Sequence, residues 1–241
     1  MLAELQYRLL CRLWPRDPSA AQTQGAEKLD KFLAPLDPFF AGLDGLDVLD
    51  FGCGGGHETL ALARSARSVV GLDVNRTLIE QARARAEAVG ADNVEFTTQL
   101  DPDRRFDAVI SLDAFEHFED PAAMLATIHS QLKPGGVLLA SFGPTWYHPY
   151  GGHLFSAFPW AHLLLSEQAL LRWRNRFRER PATRLREGMN GWSIAKFERM
   201  VRSSPFEVER FRCVPIRALR WLHCRLTREL ATTVVQMKLK K

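Results

Sequence analysis

Short apolar runs alternate with longer amphipathic stretches along most of this chain. VLDF (48–51), SVVGLD (68–73), NVEFTT (93–98), DAVISL (107–112) and VLLASF (137–142) are dominated by branched and aromatic side chains. Between them, helical spacing runs from about His57 to Ala66, from about Asn75 to Val89 and from about Pro121 to Leu132. This rhythm predicts βαβ units on a parallel sheet. FEVERFRCVP (206–215) and ATTVVQMKLK (231–240) instead alternate apolar and polar positions, which predicts two late strands paired antiparallel at the sheet edge. The expected fold class is α/β: a doubly wound, mostly parallel seven-stranded sheet with an antiparallel edge hairpin.

Local signals sharpen this outline. Pro121 suits a first helical turn, where its missing N–H costs nothing. LKPGG (132–136) reads as a helix stop followed by a turn. At the N-terminus, MLAELQYRLLCRLWPRDP intersperses charges among apolar residues and predicts an amphipathic helix, not a signal peptide. A polar stretch from Asp17 to Gln24 then leads into a second helical pattern with Leu29, Phe32 and Leu33 on one face, broken by Pro35 and Pro38. Residues 143–200 leave the sheet rhythm: GPTWYHPYGGHLFSAFPWAHLLLSEQ is dense in aromatics, His, Pro and Gly. It follows the fifth strand, at the end where open α/β sheets bind ligands, and is read as an inserted cap. The expected organisation is 1–45 as N-terminal helices over the cofactor site, 46–142 as the sheet core, 143–200 as the cap and acceptor-binding insertion, and 201–241 as a final helix and strands completing the sheet.

Composition changes this picture in two places. The 241 residues, 46% hydrophobic and 25% charged, suit one folded domain and argue against wholesale disorder. No apolar run is long enough to span a bilayer. Cys11, Cys53, Cys213 and Cys224 are scattered without metal-ligand spacing, so neither a disulfide framework nor a zinc site is expected, and a reducing compartment, the cytoplasm, fits. The net charge of +4 hides an asymmetry: residues 171–241 carry 19 Lys/Arg against 6 Asp/Glu, leaving 13 against 22 before them. The basic part either meets something anionic or is a solvated face.

The densest chemical signal is VLDFGCGGGHETL (48–60). A dinucleotide fingerprint fails, because the third glycine position falls on His57 or Thr59 in the two registers. A phosphate loop fails too, with no Lys-Ser/Thr pair to close it. What fits is D-x-G-x-G-x-G, with Asp50 at the strand end and Gly52, Gly54 and Gly56 letting the backbone pass close to a ligand. Asp73 ends the next strand, where a carboxylate can accept both hydroxyls of a ribose. Together these point to a nucleoside cofactor with a ribose and no pyrophosphate, carrying an ammonium for a nearby carboxylate to balance.

At these motifs the sequence resembles the class I S-adenosylmethionine-dependent methyltransferases, in the branch of quinone-biosynthesis and other small-molecule enzymes. The resemblance covers about residues 46–142 and rests on VLDFGCGGG, GLDVN (71–75), FDAVISLDAFEHFEDP (106–121) and LKPGGVLLAS (132–141), in family order. It implies a Rossmann-like fold, S-adenosyl-L-methionine as cofactor with S-adenosyl-L-homocysteine as product, and no metal. It also implies that Gly52, Cys53 and Gly54 line the methionine part, Asp73 holds the ribose, Val74 packs on adenine, and Leu112 and Asp113 face the sulfonium and acceptor. His117 would lie near the pocket rim. For the adenine amino group, Gln99, Leu100 and Asp101 compete.

Methyl transfer needs alignment and, for a poorly acidic hydroxyl, a base. His148, His153 and His162 in the cap are candidates, beside His117, with Tyr147 and Tyr150 as donors. For each the alternative is a histidine that pins a loop. Phe155, Phe158, Trp160 and Leu163 to Leu165 suggest an apolar acceptor pocket or a lipid-facing surface. Leu170, Leu171, Trp173 and Phe177 recur at helical spacing among five arginines, as on a core-packed helix or one lying on an anionic membrane. The acceptor expected is a small molecule or lipid, methylated on O or N. Alternatives are an RNA methyltransferase or a non-catalytic binding or scaffold protein. The RNA reading lacks the Asn/Asp-Pro-Pro-aromatic motif of base amino-methyltransferases, since the chain reads SLDA there.

Overall fold

The computed structural model describes residues 1–16, 42–186 and 189–241. The expected helix around Leu29, Phe32 and Leu33 lies outside them. Seven strands form one sheet: β1 (Asp47–Phe51), β2 (Ser68–Leu72), β3 (Val94–Thr97), β4 (Phe106–Leu112), β5 (Leu132–Phe142), β6 (Glu207–Pro215) and β7 (Thr232–Lys240). Their order is β3-β2-β1-β4-β5-β7-β6. The first five run parallel, whereas β7 pairs antiparallel with both β5 and β6, so the edge hairpin is as expected. The order reverses between β1 and β4, and crossover chains diverge there to open a crevice at the strands' carboxyl ends.

The longer helices are α1 (Leu2–Leu13), α2 (His57–Leu62), α3 (Arg76–Val89), α4 (Pro121–Gln131), α5 (Glu167–Asn175) and α6 (Ile194–Ser203), with shorter turns between. Most begin where the sequence supplies an oxygen for the free amides of a first turn. The Asn75 side chain accepts from Thr77 and Leu78, and the Asp120 carboxylate from Ala122 and Ala123 ahead of Pro121. Gly90, left-handed at φ 66°, closes α3. The first βα helix is shorter than expected, ending at Leu62. The LKPGG turn is a correction: Leu132 already pairs with Phe106, and the ladder resumes at Ala108–Val137, so KPGG is a bulge inside β5's run.

Because successive strand residues face opposite layers, the continuous apolar strands fill both. Leu49, Val70, Val109 and Leu138 pack with Leu125 and Ile128 of α4 and Ile194, Phe197 and Val201 of α6. Val48, Val69, Ala108, Ile110 and Leu139 face the other side, where Ile79, Ala82 and Ala86 of α3 cover Phe96. A third cluster is separate. Leu10 of α1 packs with Trp146, Phe155, Leu170, Trp173, Ala182 and Leu185, and the Trp173 indole N–H donates to the Trp14 carbonyl at 2.9 Å. The apolar face of α5 is thus covered by α1, and Arg172 is held by Glu4 at 2.6 Å over the Tyr7 ring. This helix packs on protein; it presents no free stripe to a membrane. All four cysteines are free thiols, and among the described residues no helix is long and apolar enough to cross a membrane.

At the amino ends of the strands, Lys133 Nζ bridges Asp47 at 3.1 Å and Asp107 at 2.9 Å, and Asp107 also accepts the Asp47 amide. The Arg67 guanidinium beside Asp47 holds that carboxyl well below its usual range. Asp107 therefore staples strand starts, as a strand-opening residue would. A cavity of about 530 Å³ lies beside this staple, with Gly42, Pro134, Arg210 and Lys238 on its wall. It sits at the end of the sheet away from the glycine loop.

Phe197 is fully buried against Phe142, with ring centroids 4.4 Å apart, and against Trp192 at 5.1 Å. Phe197→Ala is expected to cost about 3–5 kcal/mol in urea unfolding. A loss under about 1 kcal/mol would show that this layer repacks and that α6 is not a keystone of it.

Candidate functional site

The site is built where β1 ends. After Phe51 the chain turns through Gly52 (φ 86°), Gly54 (φ 51°) and Gly56 (φ 77°) into α2. The amides of Gly52 and Cys53 both donate to the Leu72 carbonyl, at 2.8 and 2.9 Å, which ties the loop to the end of β2. Asp73 closes the tie: its Oδ2 accepts the Gly54 amide at 2.9 Å and its Oδ1 the Asn75 amide at 2.8 Å. A side chain at Gly56 would meet Phe96 at 2.7 Å and Ala82 at 2.8 Å, whereas one at Gly54 would meet nothing within 4 Å. The two glycines therefore do different jobs. Gly56 lets α3 and β3 pack beneath the loop; Gly54 leaves open space above it.

The carboxylates around this loop are crowded. Asp50 is buried and accepts the Thr59 hydroxyl at 2.6 Å. Burial, with Glu58 and Asp73 nearby, pushes its carboxyl up to about 7. Asp113 leaves β4 at φ 47°, its amide donating to Ser141 at 2.8 Å. Desolvation and Glu58 raise its carboxyl as well, though the side chain keeps an open solvent face that limits the rise. Glu58 thus bears on both Asp50 and Asp113, and Asp73 on Asp50, an arrangement that added positive charge would relieve. Glu58 was not singled out from sequence. Its signal was its place in the first turn after the loop.

Other expected cofactor residues stand as follows. The Cys53 side chain is buried against Ile79, Ala82 and Phe96, and burial pushes its thiol up, so only its backbone faces the loop. Val74 is 90% exposed at the end of β2, and Gln99 is exposed beyond β3. Leu100 packs on the main core and Leu112 on the opposite layer. Asp101 is engaged in a local turn, accepting the Asp103 amide at 2.9 Å. A small cavity of about 30 Å³ lies among Gln99, Leu100, Asp101 and Thr97.

The cap meets this site through the segment after β4. Glu116 is buried; its Oε1 accepts the Gly143 amide at 3.1 Å and its Oε2 has no partner among the described residues. Burial and Asp113 push this carboxyl up to about 8. Asn190 holds the segment from the other side, donating to the Phe115 carbonyl at 2.7 Å and to Phe118 at 3.2 Å. Neither residue stood out in the sequence, because nothing local marks a contact spanning 27 or 75 positions. The His117 ring lies edge-on to His153, centroids 5.6 Å apart, so these two meet at the junction of sheet and cap.

The cap histidines divide. His162 is buried with both ring nitrogens engaged, by Ser156 at 3.0 Å and the Trp146 carbonyl at 2.7 Å. His148 Nδ1 accepts the Tyr150 amide at 3.0 Å, and burial lowers its pKa to about 4. Both pin turns. His153 differs: it hydrogen-bonds the Pro144 carbonyl, burial lowers its pKa, and its buried Nε2 has no partner among the described residues. Of the apolar cap residues, Phe155 is buried in the α1–α5 cluster, while Leu163 and Leu164 are exposed.

The chain matches the family described as a methyltransferase domain over residues 8–210. It is 39% identical over 101 residues to a ubiquinone biosynthesis O-methyltransferase of Paramagnetospirillum magneticum, covering 41% of each chain. The chain spans less than half the length of the curated relatives it matches. Among solved structures it is similar to an S-adenosylmethionine-dependent methyltransferase from Mesorhizobium loti, with TM-score 0.56, 21% identity, and 86% of this chain and 96% of that one covered. It is also similar to the [4+2]-cyclase SpnF, with TM-score 0.59, 17% identity, and 88% and 81% covered. These two likenesses concern the fold, and the second shows that the fold also carries another chemistry.

Two outcomes test the site. Gly54→Ala is expected to keep the fold, costing about 1–2 kcal/mol for a left-handed alanine, whereas Gly56→Ala adds a clash and should cost more in thermal unfolding. Equal losses would mean that the space over Gly54 is not what it is for. Glu116 ionises near 4.5 when unfolded and near 8 in the fold. Between those values the native state holds the extra proton, so its contribution to stability is lost as pH rises, by up to about 1.4 kcal/mol per pH unit. Glu116→Gln should flatten the pH dependence across that window; an unchanged slope would place the buried proton elsewhere.

Proposed function

Since this chain belongs to the methyltransferase-domain family, we propose that it binds S-adenosyl-L-methionine at the glycine loop and methylates a small-molecule or lipid-like acceptor. The observation that carries this reading is a loop that is open above Gly54 and flanked by Asp73, with the carboxyls of Asp50 and Asp113 both raised, in part by the nearby negative charge of Glu58. A sulfonium and an ammonium would relieve that repulsion, and Asp73 keeps lone pairs free on both oxygens for ribose hydroxyls. Val74, Gln99 and Leu100 would flank the adenine; Leu112 and Asp113 would face the reacting end.

The cofactor supplies an activated methyl group. The chain's part is to align the acceptor and take its proton. His153 is the base this reading favours. Its bond to the Pro144 carbonyl is a donor bond, which leaves Nε2 as the unprotonated nitrogen, and its lowered pKa keeps it neutral at pH 7. His153 Nε2 would take up the hydroxyl proton as the acceptor oxygen gains the methyl group in place of the sulfonium sulfur, which would keep the electron pair of the broken bond. Relatives named for ubiquinone biosynthesis O-methylation favour a phenol or quinol-like ring as that acceptor.

Calorimetric titration tests the binding step. Wild type should bind S-adenosylmethionine and S-adenosylhomocysteine, and Asp73→Ala should weaken both by a factor of about 10–100. No binding by folded wild type rejects the enzyme reading; binding without turnover on any phenol, quinol or lipid would favour a non-catalytic role. With an acceptor in hand, His153→Gln should leave cofactor affinity intact and lower kcat by about 10²–10⁴. An unchanged kcat removes His153 as the base.

A further inference from the structure

The segment joining β6 to β7 carries a surface that methyl transfer does not use. Pro215 pairs with Thr232, and β7 begins beside the end of β5, so residues 216–231 project from the same end of the sheet as the glycine loop. The segment is held firmly at its base. Ile216 donates to the Ala231 carbonyl at 2.7 Å, and Arg228 pairs with Glu198 at 2.6 Å. The Glu229 carboxylate caps α6 by accepting the amides of Ile194 and Ala195, both at 2.8 Å. Thr227 accepts the Cys224 amide at 3.1 Å, fixing the turn at the tip.

Its outer side is different. Trp221 is 80% exposed, Leu226 91% and Leu222 41%. Interleaved with them are Arg217, Arg220 and Arg225, none of which has an ion pair among the described residues. The one acidic side chain of the segment, Glu229, is already spent on the cap of α6. A monomer gains nothing by holding a tryptophan and a leucine out in water on a rigid turn, and three uncompensated guanidinium groups bar a purely apolar partner. An indole and a leucine at the tip, with arginines spaced to reach anionic groups around them, match the boundary between lipid headgroups and acyl chains.

We propose that residues 216–231 dock this protein on an anionic bilayer, with Trp221, Leu222 and Leu226 entering the headgroup boundary and Arg217, Arg220 and Arg225 meeting lipid phosphates. This goes beyond the cofactor reading and does not depend on it. If that reading also holds, the cleft opens at the end of the sheet that faces the bilayer, where a lipid-like acceptor would be found.

The full chain is tested by co-sedimentation with vesicles of phosphatidylcholine alone or mixed with phosphatidylglycerol. Wild type is expected to sediment with the anionic vesicles and to be released by salt. Arg217→Gln/Arg220→Gln/Arg225→Gln should lower partitioning roughly a hundredfold, at a factor of about five per arginine. Trp221→Ser/Leu226→Ser should weaken it comparably. Both variants alter exposed side chains only, so far-UV dichroism and S-adenosylhomocysteine titration should match wild type. That titration separates failure here from failure of the cofactor reading. Wild type that ignores anionic vesicles, or variants that bind them as well as wild type does, overturns the proposal. So does a wild-type dimer in sedimentation velocity that Trp221→Ser/Leu226→Ser converts to monomers, since the face would then cover a second copy.

Discussion

The turn out of β1 is the constraint on which the rest of the site depends. A central strand buried on both faces must hand its chain to a helix without covering its own carboxyl end. It does so through three left-handed glycines: the Gly52 amide is tied back to the end of β2, the Gly54 amide to Asp73, and the Gly56 amide to the Cys53 carbonyl within the loop. Asp50 and Thr59 lock the same turn from beneath with a buried hydrogen bond. Because β2 and β4 flank β1 on either side, fixing this turn also sets the distance between Asp73 and Asp113 across the crevice. Loosening it would disturb both walls together.

Electrostatics gives that geometry a direction. Burying Asp50 and placing Glu58 near both it and Asp113 costs free energy, visible in the raised pKa of Asp50 and Asp113. Protonation or the arrival of positive charge would recover that cost. The Asp47–Lys133–Asp107 staple at the opposite end of the same strands shows the contrast. There each carboxylate already has its cation, both pKa values fall, and the group works as structure.

Residues 143–190 are joined to this frame by a few long-range contacts, whereas Ile194 and Phe197, within the cap as expected from sequence, belong to the sheet's own core. The cap's own cluster forms with α1, through Leu10, Trp146, Leu170 and Trp173, while Glu116, Asn190 and the His117–His153 pair bridge it to the sheet. That division separates two roles the cap histidines could have played. His162 spends both ring nitrogens and His148 its Nδ1 on the cap's own turns, whereas His153 sits at the bridge with a buried Nε2 that has no partner among the described residues.

By itself the sequence determined the α/β architecture, the antiparallel edge and the place of the glycine loop. Apolar periodicity, Asn75, Asp120 and Pro121 as helix starts, and the glycines after VLDF act through neighbours a few residues away. Their chemistry is therefore written locally. It did not show that KPGG is absorbed into β5, because a bulge is defined by the partner strand. It could not rank the cap histidines, find Glu58 and Glu116 among many acidic residues, or show that α1 shields α5. Those outcomes depend on which groups meet across tens of positions and how little water remains between them, and only the packed chain decides that.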